Sequence, residues 1–226
     1  MTSTTDSASP RRGRGRPRRI DQQMIVEAAR GIPVGELTMR AVAERLGVNR
    51  KALNYHVSDR DGLLDLLAAY SLADGMSAIE LSLSRDWRDL LRDFASQTRT
   101  VVASLGDLAE YSRVDAKLDA AALKPAEAVL RSLLRAGFST RTAGLALANI
   151  AELAFSAGRN DIDRADASTH KTTASIRQIL KSTREPGFPA MEAVLLADNG
   201  LLGEEQFQFD LRVAILGLEQ ILANEA

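Results

Sequence analysis

From Ile20 onward, apolar residues recur at three- and four-residue intervals, the spacing that keeps one face of a helix greasy. Ile25, Val26, Ala28 and Ala29 predict a first helix over Ile20–Gly31, capped by Asp21 and broken by Gly31, Pro33 and Gly35. A second helix starts at Thr38, whose hydroxyl accepts an early backbone N–H, and turns Val42, Ala43 and Leu46 inward. Gly47 supplies the left-handed conformation that ends it. Asn49 caps a third helix with Ala52, Leu53 and Val57 facing inward, and Arg50, Lys51, Asn54, Tyr55 and His56 on its outer face. Ser58 is the expected cap of a long helix running to about Leu81 and carrying Leu63, Leu64, Leu66, Leu67, Tyr70, Leu72, Met76 and Ile79. Some 20 residues of helix span about 30 Å. This element therefore begins in an N-terminal head and ends in the remainder of the chain, as a transmitting lever or as a plain linker.

The pattern continues through a helix from Asp86 to about Ser104, with Trp87, Leu90, Leu91, Phe94, Thr98, Val101 and Val102 on a broad apolar face and Gly106 closing it. Residues 107–122 are irregular and leave room for a short helix. Pro125 suits a helix first turn, leading through Ala128, Val129, Leu133 and Leu134 to Gly137. Thr140–Gly158 is apolar nearly all round and rich in Ala, the signature of a central or interfacial helix. Residues 159–170 read as a charged loop, Thr173–Lys181 and Ala190–Asp198 as helices. The final stretch repeats apolar residues on one face for about four turns, with Val213 and Leu216 widening it. The expected fold is all-α: a disordered basic arm over 1–19, a three-helix head over 20–66 with a helix-turn-helix, and a larger helical body over 67–226.

Composition changes this picture little. The 226 residues are 45% hydrophobic, enough for a substantial core, and only 4% aromatic. The absence of cysteine excludes disulfides and thiolate metal sites and fits a reducing cytoplasm, the expected location. No run of about 18 apolar residues suggests a membrane span, and the basic N-terminus has no apolar stretch behind it to make a secretory signal. Charge is more telling. The net charge of −1 conceals +6 over residues 1–60 and −7 over the remainder. A basic head on an acidic body suits a reader of DNA whose other parts do not touch it. Within the arm, Arg11, Arg12, Arg14, Arg16, Arg18 and Arg19 alternate with Gly and Pro. Gly15-Arg16-Pro17 resembles an AT-hook, whose extended Arg-Pro unit lies in a narrow A·T-rich minor groove. A generic basic tail that adds only nonspecific affinity is the alternative.

Leu37–Leu64 reads LTMRAVAERLGVNRKALNYHVSDRDGLL, and this string closely resembles the DNA-binding head of the TetR family of transcriptional repressors. The C-terminal run FQFDLRVAILGLEQ and the Ala-rich Thr140–Gly158 helix resemble the dimerisation helices of the tetracycline repressor subgroup. The resemblance makes the third helix the recognition helix. It implies DNA contacts from the arm arginines and from Thr38, Arg40, Asn49, Arg50, Lys51, Asn54, Tyr55, His56 and Arg60. Asn54 stands where the family usually has an aromatic residue, and Lys51 where its nearest members often have Pro, so the base sequence read should differ. By the same resemblance, two copies pair in a four-helix bundle, here through Leu147, Ile150, Ala151, Ala154, Leu211, Ala214, Ile215, Leu218 and Leu222. A two-fold dimer sets two recognition helices about one DNA turn apart on a roughly palindromic double-stranded operator.

The family also binds small effectors in a body cavity, lined here by candidates Leu72, Met76, Phe94, Thr98, Tyr111, Asp115, Asn149, Glu152 and Phe155. Residues such as Met76, Phe94 and Phe155 are more often plain core. Asn149 and Glu152 sit in an apolar helix and need a partner, either a ligand or the other subunit. Met76, Phe94 and Ser112 fall where tetracycline repressors use histidines and an asparagine to hold drug and magnesium, and the only histidines are His56 and His170. The metal chemistry is therefore not expected, and an apolar or aromatic effector is. No cofactor, metal site or catalytic residue is expected: the histidines have no evident partners and no Gly-rich phosphate loop follows a strand. The reading is a repressor; an activator of the same fold and an architectural protein coating A·T-rich DNA are the alternatives.

Overall fold

The computed structural model describes residues 20–82, 86–112, 119–165, 171–182, 187–196 and 203–225. The arm arginines and Asp115 lie outside the described residues. Those described form α1 (Gln22–Ala29), α2 (Met39–Leu46), α3 (Arg50–Asn54), α4 (Arg60–Ser77), α5 (Trp87–Ser104), α6 (Lys124–Ala136), α7 (Thr140–Ala165), α8 (Lys171–Ser182), α9 (Pro189–Leu196) and α10 (Glu204–Glu225). Two 3-10 turns, Val34–Glu36 and Gly106–Tyr111, precede α2 and follow α5. No strand occurs among the described residues.

Two apolar cores organise the chain. The head core gathers Ile25 and Val26 of α1, Val42 of α2, Leu53 of α3 and Leu63, Leu64, Leu66 and Leu67 of α4. The body core takes Leu72, Ala73 and Met76 from the same α4 and adds Leu90, Leu91 and Phe94 of α5, Leu133 of α6, Ile150 and Ala154 of α7, and Phe207, Leu211 and Ile215 of α10. One helix thus serves both cores. Leu108, in the Gly106–Tyr111 turn, also packs against both.

Close approach in the body depends on two small residues. A methyl group built on Gly158 of α7 would lie 2.6 Å from Val102 Cβ and 2.8 Å from the Arg99 carbonyl oxygen, so α5 passes almost in backbone contact. At Gly75 of α4 the obstruction would be Val101 Cγ1, at 2.5 Å. Arg99 then ties three helices. Its Nε and Nη2 donate to the two Asp161 carboxylate oxygens at 2.6 and 2.8 Å. Its Nη1 reaches Glu204 at the start of α10, and the guanidinium lies 4.5 Å from the Phe207 ring centroid. The side chain is 13% exposed. A two-bonded fork, shielded from water and stacked on an aromatic ring, holds more firmly than a surface pair.

The structure corrects several boundaries. Asp59, not Ser58, caps α4, accepting the Gly62 N–H at 2.9 Å. α4 ends at Ser77 rather than near Leu81. Of the segment read as a charged loop, residues 159–165 are the last part of α7, where Asp161 is engaged by Arg99 on α5; residues 166–170 lie outside the described residues. The irregular stretch after residue 106 supplies the Gly106–Tyr111 turn.

Candidate DNA-binding surface and effector region

Five residues make a helix too short to persist alone, so α3 is held by its neighbours. The turn before it is a Schellman-type stop: Gly47 adopts φ 67°, and the Val48 N–H donates back to the Ala43 carbonyl at 3.0 Å. Asn49 Oδ1 accepts the Ala52 N–H at 2.9 Å and caps α3, just as Thr38 Oγ1 caps α2 through the Ala41 N–H at 3.1 Å. Leu53, fully buried, anchors the inner side, and Val57 closes the core behind it. The opposite side is bare. Arg50, Lys51, Asn54 and Tyr55 are exposed, and Tyr55 at 88% is the most exposed large hydrophobic residue among the described residues. His56 is half-buried and meets the Tyr55 ring edge-on at 5.4 Å. Cations, an amide, a phenol and an imidazole on one face form a donor-rich surface matched to phosphates and base edges.

Two candidate arginines are committed elsewhere to different degrees. Arg60 does not face outward: it is half-buried, with Nε donating to the Leu37 carbonyl at 2.9 Å and Nη2 to the Val34 carbonyl at 2.8 Å. It clamps the turn before α2 onto the start of α4. Arg40 pairs with Glu44 one turn on at 2.7 Å, which raises its already high pKa, and it remains 86% exposed and free to exchange partners. Arg45, not anticipated from sequence, donates to the carbonyls of Ala28 and Arg30 at 3.1 and 2.9 Å and closes the end of α1. Arg30 in turn pairs with Asp74 on α4.

The effector candidates separate into three groups. Leu72, Met76, Phe94 and Thr98 come together in the body core, with Phe155 at its edge. Thr98 is fully buried and its hydroxyl has no hydrogen-bond partner among the described residues; Ser112 Oγ is likewise buried and without a partner among them. Tyr111 lines a cavity of about 480 Å³ between head and body. Asn149 and Glu152, expected inside an apolar helix, are exposed on α7 beside Leu145. Their face of α7 is not buried within the subunit.

The predicted dimer residues also need correction. Ile150, Ala154, Leu211, Ile215 and Leu218 are buried in the subunit's own core, and Leu147, Ala151, Ala214 and Leu222 pack against it. They hold α7 and α10 to their own chain. The apolar residues left outward are Phe209, Val213, Leu216 and Ile221 on α10 and Leu145 on α7. Periodicity located the helices; of the nine residues that the resemblance assigned to pairing, five are buried within the subunit and four are half-buried at its edge.

A small all-α head presenting a short exposed helix, joined through a shared helix to a larger helical body, defines a helix-turn-helix regulator architecture. Residues 82–222 match the family described as "Tetracyclin repressor-like, C-terminal domain", and the chain belongs to that family, whose members are transcriptional regulators rather than enzymes. Among relatives, the class A tetracycline repressor from transposon 1721 of Escherichia coli is 35% identical over 119 residues. That match covers 53% of this chain and 55% of the repressor, so the aligned stretch spans about half the length of that relative. Among solved structures, Streptomyces coelicolor ActR in complex with (S)-DNPA superposes with a TM-score of 0.67 at 23% identity, covering 92% of this chain and 99% of that one. The Q116A tetracycline repressor of Acinetobacter baumannii in complex with minocycline gives 0.58 at 24%, covering 89% and 94%. At these identities the two structures establish the shared fold.

Proposed function

We propose that the chain is a repressor that binds a palindromic operator as a homodimer and is released by a small apolar or aromatic effector. The observation that carries the reading is α3: a helix pinned from behind by a fully buried leucine, with Arg50, Lys51, Asn54 and Tyr55 bare in front. A side chain as large as Tyr55 left almost wholly in water has no role in the chain's own packing. The corrected apolar surface of α7 and α10 supports pairing of two copies, with Asn149 and Glu152 meeting the partner rather than an effector. The buried, unpaired Thr98 hydroxyl supports an effector region in the body core, because a polar group held there without a partner costs stability that a ligand's acceptor or donor can restore.

Selection of bound duplexes from a random pool tests the reading. The expected product is an inverted repeat with half-sites about 34–36 Å apart centre to centre. Tyr55→Ala and Arg50→Ala should erase the preference while leaving weak, salt-sensitive binding. A single asymmetric element bound at full strength by a monomer would overturn it, and binding to any A·T-rich duplex unaffected by either substitution would favour the architectural alternative.

A further inference from the structure

The cavity of about 480 Å³ at the junction of head and body is separate from the core region around Thr98. Its walls come from three places: Val34 and Gly35 of the turn before α2, the turn from Gly106 to Tyr111, and Arg159, Ile162 and Asp163 on α7. The volume lies within the range of small-molecule sites, roughly 300–1,000 Å³. Val34, Ala109, Ile162 and the Tyr111 ring supply apolar surface, and the exposed Asp107 and Glu110 outnumber Arg159 among the described lining residues. No hydrogen bond or ion pair engages the Asp107 or Glu110 side chain among the described residues. From these features we infer that the cleft is a binding site for a small organic cation with an apolar or aromatic body, the body lying along Val34, Ala109, Ile162 and Tyr111 and the ammonium facing Asp107 and Glu110.

Its position gives the site a consequence for DNA binding, and that part rests on the proposed function. The Val34 and Leu37 carbonyls are held by Arg60, the first residue of α4, and Leu37 runs directly into the Thr38 cap of α2. On the other wall, Leu108 touches both cores. A molecule lodged between the two turns presses the Val34–Glu36 turn away from the Gly106–Tyr111 turn. The head is displaced as a unit, because Arg60 and the cap bind that turn to α4 and α2. A ligand that fits only the displaced arrangement shifts the population toward it by its difference in affinity for the two.

Dansylcadaverine, an aromatic primary amine, is the probe, titrated by fluorescence into the full chain, with the anionic N-dansyl-6-aminohexanoate as control. The amine should bind about tenfold more tightly than the acid, and the double variant Asp107→Asn, Glu110→Gln should remove about that factor, as expected for two modest charge contacts. Gly35→Phe, at a position where an added Cβ meets nothing within 4 Å, should fill the cleft and abolish binding with helical content unchanged. Equal affinity for amine and acid, or amine binding indifferent to both variants, overturns the site. These readouts need no operator, so a failure of the DNA-binding reading leaves them standing. With a selected operator in hand, saturating amine should weaken DNA binding by the wild type and not by Gly35→Phe; unchanged operator affinity overturns the coupling.

Discussion

Replacing Thr98 by valine should make the protein more stable, an unusual outcome for a fully buried core position. Thr98 has no exposed surface and its Oγ1 has no hydrogen-bond partner among the described residues. An unpaired buried hydroxyl costs about 1–3 kcal/mol by mutational series. Valine keeps the branched shape and exchanges the hydroxyl for a methyl, which removes that cost and adds a small apolar gain. Allowing for imperfect fit of the new methyl, Thr98→Val should gain about 1–2 kcal/mol, and for a chain of this size each kcal/mol raises Tm by roughly 2–4 °C. Urea unfolding at one fixed protein concentration is the suitable assay, since pairing of subunits makes apparent stability depend on concentration. The midpoint should rise with an unchanged m-value. Thr98→Ala is the control: it also removes the hydroxyl but leaves a void, so it should not gain. A valine variant less stable than wild type by 1 kcal/mol or more would show that the hydroxyl is satisfied in the folded protein, and the argument for an effector region around Thr98 would go with it.

Other outcomes follow from features described above. Gly158→Ala ordinarily favours a helix by about 1 kcal/mol, but its Cβ would collide with Val102 and the Arg99 carbonyl, so denaturation should show a net loss of about 1–3 kcal/mol; a gain would refute the close crossing. The Glu204 carboxylate is held below its ordinary value of 4.5 by the Gln208 hydrogen bond and by Arg99. Its folded-state pKa is depressed, so its contribution is present above pH 4.5 and lost as pH falls through the folded value. Glu204→Gln should therefore narrow its stability gap to wild type progressively below pH 4.5, and a gap constant down to pH 3 would count against the contact. Deleting residues 1–19 should lower the slope of log affinity against log salt by up to about five per subunit, at roughly 0.9 per neutralised phosphate; an unchanged slope would mean the arm does not touch DNA.

Much of the head was legible because its signals are local. Asp21, Thr38, Gly47 and Asn49 each act on a backbone group within a few residues, and each sits in the structure where the string of letters put it. Ser58 and Asp59 are adjacent cap-forming residues, and only backbone geometry decides between them. What escaped depended on distant partners. Asp161 and Arg99 are 62 residues apart, so nothing around residue 161 announced that α7 continued past Gly158. Arg60 looked like another cation near DNA until the Val34 and Leu37 carbonyls came within its reach. For α7 and α10, a wide apolar surface is equally compatible with packing on one's own core and on a neighbour's. Only the placement of α5 and α6 settles that Ile150 and Leu211 face inward while Phe209 and Leu216 do not.

Because α4 carries Leu67 into one core and Leu72 into the other, this regulator has no seam at which it can be cut cleanly. Between them lie Ala68 and Ala69, almost fully buried, then Tyr70, which still packs against the head core, and Ser71. A hybrid that borrows a foreign reading head keeps the share of α4 in each core together only when the splice falls between Tyr70 and Leu72. Moving the junction a turn either way strands leucines from one parent against walls built for the other.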